Sequence, residues 1–118
     1  MQWNVLYVDE FLEWLEQQEN DLQNAILASL EVLVELGPKL GRPRVDTLKG
    51  SKFPNLKELR VQHRGEPWRV LFIFDSKRQA ILLVGGNKQG NKRGYKENIP
   101  IAEERYQRYL KDLEGYHG

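Results

Sequence analysis

The residues whose types and spacing promise chemistry are the cationic side chains in the middle of the chain. Residues 49 to 96 carry twelve Lys and Arg against three acidic residues, Glu58, Glu66 and Asp75. In the stretch from Leu56 to Arg64, the side chains of Glu58, Arg60, Gln62 and Arg64 alternate with Leu59, Val61 and His63. An extended chain sends successive side chains to opposite faces, so one face is predicted to be polar and basic. Such a face suits an anion, and a polyanion best of all. Lys88 follows a Gly85-Gly86 pair, and Lys92, Arg93 and Lys96 come soon after in a polar, glycine-rich run. Glycines let a backbone approach a ligand closely. A lysine crowded by other cations can lose its proton near neutral pH, and so serve as an acid or base.

Composition removes several other chemistries. The 118 residues include no cysteine, which excludes disulfides, thiolate nucleophiles and zinc sites built from cysteine. The two histidines, His63 and His117, lie far apart, which argues against a histidine-rich metal site and a two-histidine ribonuclease mechanism. No segment approaches the roughly 20 apolar residues that cross a bilayer. The start, Met1-Gln2-Trp3-Asn4, shows no basic stretch followed by an apolar run, so no secretory leader and a cytoplasmic location are expected. The length suits one domain over residues 1–118. A net charge of +1 conceals segregation, because residues 1 to 36 hold eight acidic side chains and no basic one.

The elements that must position these cations follow from periodicity. Residues 2 to 8 are rich in β-branched and aromatic side chains and predict a strand. From Asp9 the pattern turns helical, with Asp9 as a cap and Phe11, Leu12 and Leu15 on one side. A second helix begins at Asn20 or Asp21 and carries the stripe Leu22, Ile26, Leu30, Leu33 and Val34 until Gly37-Pro38 stops it. The two acidic helices are expected to form a hairpin with one buried face. Residues 37 to 55, with three prolines and three glycines, read as a long loop. Three strand-like runs follow, Leu56 to Arg64, Trp68 to Asp75 and Gln79 to Val84, joined by short turns that imply an antiparallel meander. The last two are apolar on both faces, as central strands are. Residues 85 to 98 read as a mobile loop, and Pro100 opens a final helix with Ala102, Tyr106, Tyr109, Leu110 and Leu113 on its apolar side. The three tryptophans are expected in the core or an interface. The fold class is therefore α+β, in the order β-α-α-β-β-β-α.

That order, together with Asn55-Leu56-Lys57-Glu58-Leu59-Arg60, Trp68-Arg69-Val70-Leu71-Phe72 and Ile81-Leu82-Leu83-Val84 followed by Lys88, resembles the RelE/ParE superfamily of toxins. It looks closest to the phage-derived HigB-like branch. The resemblance implies a mainly antiparallel sheet packed against an N-terminal helical hairpin and a C-terminal helix. It also implies the toxin of a type II toxin-antitoxin system, a metal-independent mRNA endoribonuclease that needs no cofactor and acts on ribosome-bound mRNA. The partner it implies is a helix-turn-helix antitoxin encoded beside the toxin, assembled with it as a hetero-oligomer.

Cleavage of RNA without a metal requires a deprotonated 2′-hydroxyl, a stabilised pentacovalent phosphate and a protonated leaving group. The resemblance assigns that work to Arg60, Arg69 and Lys88, with Tyr95 stacking on a base or donating a proton. Guanidinium suits the phosphate because it can grip two oxygens at once. Lys57, Arg64, Lys92, Arg93 and Lys96 are assigned to RNA contacts. A structural role for Arg69, in a salt bridge to Glu58, stands beside the catalytic one. Two rival functions share the fold: a ParE-like toxin that poisons gyrase, and a non-toxic phage-derived binding protein.

Overall fold

The computed structural model describes residues 2–89 and 96–117. Its elements are β1 (Asn4–Tyr7), α1 (Asp9–Glu16), α2 (Asn20–Leu36), a 3-10 turn (Gly37–Lys39), β2 (Val45–Thr47), β3 (Leu56–His63), β4 (Glu66–Phe74), β5 (Gln79–Asn87) and α3 (Asn98–His117). The five strands form one sheet in the order β1-β5-β4-β3-β2. β1 pairs with β5 in parallel, and every other pair is antiparallel. The expected α+β order is present, with one strand added inside the segment read as loop. β2 is only three residues long and pairs Val45 with Leu59 and Thr47 with Lys57.

Helix starts also differ slightly from the sequence reading. Val8 and Glu19 occupy the cap positions, neither with a side-chain cap bond, and Asp9 and Asn20 are already inside the helices. Asp9, Glu10 and Asp21 lie in the first turns, where a carboxylate is favourable beside the helix dipole.

Two consecutive glycines show how the layers are arranged. β5 runs on through Gly85 and Gly86 to Asn87, past the end predicted at Val84. A Cβ on Gly85 would stand 2.2 Å from the Trp14 ring of α1, whereas one on Gly86 would meet the Asn98 side chain of α3 at 3.2 Å. Successive residues of a strand face opposite ways, so α1 covers one face of the sheet and the start of α3 lies over the other. Gly85 thus makes room for a core tryptophan and not for a ligand. Trp14 in turn packs on Phe11 and Trp68, with ring centroids 5.7 and 6.1 Å away. Trp14 and Trp68 pack against the core, and Trp3 packs on Phe74 with centroids 4.9 Å apart. Gly85→Ala should lower stability by about 1–3 kcal/mol through overpacking, read as a drop in the urea midpoint.

The core itself lies between the helices and the central strands. Phe11, Ile26, Leu33, Leu59, Val70 and Phe72 are each at most 1% exposed. A bulge between Leu71 and Phe72 slips the register, so that Leu71 opposes Val84 and Phe72 opposes Leu82. Leu83 is left over, and its carbonyl accepts a 2.9 Å hydrogen bond from Arg105 Nη1 of α3, which fastens that helix to its face. No described helix is long and apolar enough to cross a membrane.

Candidate functional site

On the sheet face that meets α3, the helix leaves the β3 side open. Arg60 of β3, Arg69 of β4 and Gly86 of β5 stand in one row across the sheet. Glu58 lies two residues before Arg60 on the same face and is 2% exposed. Arg60 Nε donates to Glu58 Oε1 at 3.2 Å and its Nη2 to Asp46 Oδ2 at 3.2 Å. Arg42 Nε donates to the other Asp46 oxygen at 3.0 Å. The short strand β2 therefore supplies the carboxylate that holds Arg60 from outside, while the Arg60 backbone N–H donates to Arg44 O at 2.7 Å.

Arg69 is placed differently. Its Nη1 donates to the Trp68 carbonyl at 2.9 Å. Its Nε is 3.8 Å from Glu58 Oε1, within ion-pair range and beyond a hydrogen bond. That Nε is buried and has no hydrogen-bond partner among the described residues. The structural reading of Arg69, an ion pair with Glu58, is present here. The face expected to be simply basic is a guanidinium pair clamped by one buried carboxylate, Glu58, and one partly exposed, Asp46. A cleft of about 510 Å³ opens beside it, with Ser29, Arg44, Arg60, Gln62 and Arg69 among its walls.

Fixed guanidiniums suit transition-state charge because no reorganisation is needed when the charge develops. Two arginines side by side also repel each other, and Glu58 offsets that repulsion. Sequence reasoning treated Glu58 only as a partner for Arg69 and overlooked Asp46. The signal for Glu58 was its two-residue spacing from Arg60; Asp46 sat in a segment read as loop.

The remaining predicted residues divide by position. Lys88 donates its backbone N–H to Pro67 O at 2.9 Å, beside the Gln62–Pro67 pair, at the same end of the sheet as Arg60 and Arg69. Lys96 is exposed two residues before α3. Lys57 Nζ donates to Thr47 Oγ1 at 2.9 Å, in phase with Leu59 on the helix-covered face. Arg64 lies in the β3–β4 turn with a positive φ of 51° and pairs with Asp21 of α2. His63 reaches the same carboxylate at 3.2 Å. Lys57 and Arg64 are thus not brought to the Arg60–Arg69 pair. Tyr95, Lys92 and Arg93 lie outside the described residues.

The Arg42 hydrogen bond holds the Asp46 carboxyl below its ordinary value of 3.8; partial burial opposes this, and the Thr47 N–H and the Arg60 charge add to it. A carboxyl depressed on folding stabilises the fold above its unfolded value and loses that contribution as pH falls through the folded one. Wild-type protein should therefore exceed Asp46→Asn in urea midpoint above pH 3.8, with the gap closing below it.

Comparison with known proteins agrees with this architecture. The family model "Phage derived protein Gp49-like (DUF891)" matches residues 13–107. HigB3 of Mycobacterium tuberculosis, named as a toxin, is 42% identical over 112 residues, which span 94% of this chain and 96% of that protein. HigB2 of the same organism, also named as a toxin, is 41% identical, and there the match spans 91% of this chain and 54% of the relative. Among solved structures, a mutant of the E. coli toxin RelE in the free state superposes with a TM-score of 0.59 at 10% identity, covering 92% of this chain and 98% of that one. The M. tuberculosis RelBE2 toxin-antitoxin complex gives 0.57 at 12% identity, over 74% of this chain and 99% of that one. At such identities the structural likeness speaks for the fold, and the sequence matches speak for the family. The chain belongs to the phage-derived Gp49-like family, with HigB toxins as its sequence relatives and the fold of the RelE toxins.

Proposed function

We propose that this chain is the toxin of a type II toxin-antitoxin pair and cleaves mRNA held on the ribosome. The observation that carries this reading is the Arg60–Arg69 pair, side by side across β3 and β4 and ordered by Glu58 and Asp46. In the reaction, the 2′-oxygen attacks the adjacent phosphorus and the P–O5′ bond breaks, leaving a 2′,3′-cyclic phosphate and a 5′-hydroxyl. One proton leaves the 2′-hydroxyl and one arrives on the 5′-oxygen. Arg60 and Arg69 stabilise the extra negative charge on the phosphorane oxygens. Lys88 serves as general acid or base at the mouth of the site, and Tyr95 stacks on a base or donates a proton. Lys92, Arg93 and Lys96 hold the RNA backbone; Lys57 and Arg64 engage RNA away from the scissile phosphate.

No strong general base stands among these residues, which fits dependence on the ribosome. Holding the 2′-oxygen in line with the leaving group can supply much of the acceleration, since good orientation is worth about 7–11 kcal/mol at its upper limit. The partner is a helix-turn-helix antitoxin. Support comes from the RelBE2 and E. coli RelBE assemblies, which are toxin-antitoxin complexes of the same fold. The test is a reconstituted translation system in which purified protein meets the same mRNA either naked or programmed into ribosomes. Cuts confined to the ribosome-bound message are expected. Equal cutting of naked RNA would remove the ribosome from the account, and cutting of neither would remove the nuclease.

A further inference from the structure

Gly86 is small for a different reason from Gly85. Its φ is not positive, so the backbone conformation does not call for glycine. A Cβ there would come within 4 Å of one described atom outside its chain neighbours, Nδ2 of Asn98, at 3.2 Å. Bare backbone therefore floors a notch on the α3 face of the sheet. Asn98, the first residue of α3, puts its amide nitrogen in the wall of that notch.

The residues assigned to the reaction stand around the same place. Gly86 faces Arg69 across β5 and β4, and Arg69 faces Arg60 across β4 and β3, with neighbouring strands about 4.8 Å apart. Lys88 comes two residues after Gly86, so alternation returns its side chain to the same face about 7 Å along. Arg69 does not fill the notch itself. Its Nε is held toward β3, 3.8 Å from Glu58 Oε1, and none of its atoms lies within 4 Å of the Gly86 Cβ position.

A carboxamide suits this wall. Its nitrogen carries two hydrogens and no charge, so it adds a donor beside two guanidiniums without adding to their repulsion. It is also held in place. Arg105 Nη1 of α3 donates to Leu83 O at 2.9 Å, and Glu103 accepts from Ser51 Oγ at 2.8 Å and Lys52 N at 2.7 Å. A fixed neutral donor aimed at developing charge stabilises a transition state without reorganising.

We propose that a non-bridging oxygen of the scissile phosphate sits in the notch over Gly86, and that Asn98 Nδ2 donates to it as a third donor beside Arg60 and Arg69. This rests on the nuclease reading above. The hydrogen bond strengthens as negative charge gathers on that oxygen in the phosphorane, and Asn98 exchanges no proton.

Asparagine at a helix start can also serve as a cap through its side-chain oxygen, and the experiment separates the two roles. Wild-type chain, Asn98→Ser, Asn98→Ala and Gly86→Ala are compared in single-turnover cutting of ribosome-bound mRNA over a range of ribosome concentrations, with a thermal melt of each. Serine caps a helix about as well as asparagine but is too short to reach the notch. Asn98→Ser should melt like wild type and cut roughly 100-fold slower at saturation, with the half-saturating concentration within about three-fold. Asn98→Ala should cut as slowly and melt lower. Gly86→Ala puts a methyl group in the notch and leaves Asn98 present, and it should cut roughly 100-fold slower as well. Wild-type cutting by Asn98→Ser would overturn the proposal, and so would wild-type cutting by Gly86→Ala. A rate that follows the melt through all three variants would make Asn98 a helix cap alone, which also overturns it. Wild-type chain that cuts while the variants match it removes the Asn98 role only, whereas wild-type chain that cuts nothing removes the nuclease reading and this proposal together.

Discussion

Arg69→Ala should lower cleavage of ribosome-bound mRNA by about 10²–10³-fold, the usual effect of removing one charge-stabilising donor from a water-poor site. The reason lies in the position of the side chain. Arg69 is 13% exposed and ion-paired with Glu58, so its guanidinium is held in place beside that of Arg60. A guanidinium already fixed in position stabilises developing phosphorane charge without reorganising. Arg69→Lys should recover little, because an ammonium on a flexible stem cannot present two parallel donors. Single-turnover rates at saturating ribosomes report the loss, and a thermal melt of each variant separates it from unfolding. Removing Arg69 leaves Glu58 still paired with Arg60 at 3.2 Å, so the melt should move much less than the rate. A variant that melts normally and cuts normally would reduce Arg69 to a structural partner of Glu58.

The second large effect concerns folding. Gly37 ends α2 with φ 55° and ψ −139°, a conformation open to glycine and strained for any residue with a Cβ. A Cβ there would also stand 2.3 Å from the Trp3 indole. Gly37→Ala should therefore lose about 1–3 kcal/mol to backbone strain and about 1–3 kcal/mol more to overpacking against Trp3. Gly41→Ala is the control, since nothing lies within 4 Å of its added Cβ, and it should change stability by no more than about 0.5 kcal/mol. Urea midpoints measured together on the two variants check both. Equal midpoints would mean that Trp3 and the end of α2 relax freely.

These two residues also show what the sequence made legible. Gly37-Pro38 was readable as a helix stop because glycine at a helix end and proline just beyond it are local signals. The Trp3 ring packed over that glycine was not, because the contact joins residues more than thirty positions apart. Arg60 and Arg69 were readable from alternation and resemblance, and they do face each other across β3 and β4. Glu58 was harder. Its phase placed it correctly on the arginine face, but alternation cannot tell a solvated face from one partly roofed by a third layer, and so its burial stayed hidden.

β2 escaped for a related reason. Val45-Asp46-Thr47 is too short to show a period, and Gly41 and Pro43 nearby mimic a plain loop. Only its pairing with Leu59 to Lys57 makes it a strand. With β2 went Asp46, the second anchor of Arg60. Gly85 misled in the opposite direction, beside Gly86. The pair carries the composition of a ligand-binding turn, yet Gly85 is small because Trp14 fills the space above it. The splayed α1 and α2 likewise kept the apolar stripes expected of a hairpin while leaving a trough between them.

The central claim is that the Arg60–Arg69 face cuts messages during translation. The most direct test is brief induced expression of the wild-type chain in growing bacteria, with mRNA 5′ ends mapped by primer extension within minutes. New ends inside translated codons, absent when Arg69→Ala is induced to the same level, are the predicted result. Growth arrest with no new ends would contradict the account and point to a target other than mRNA, with gyrase the first to examine.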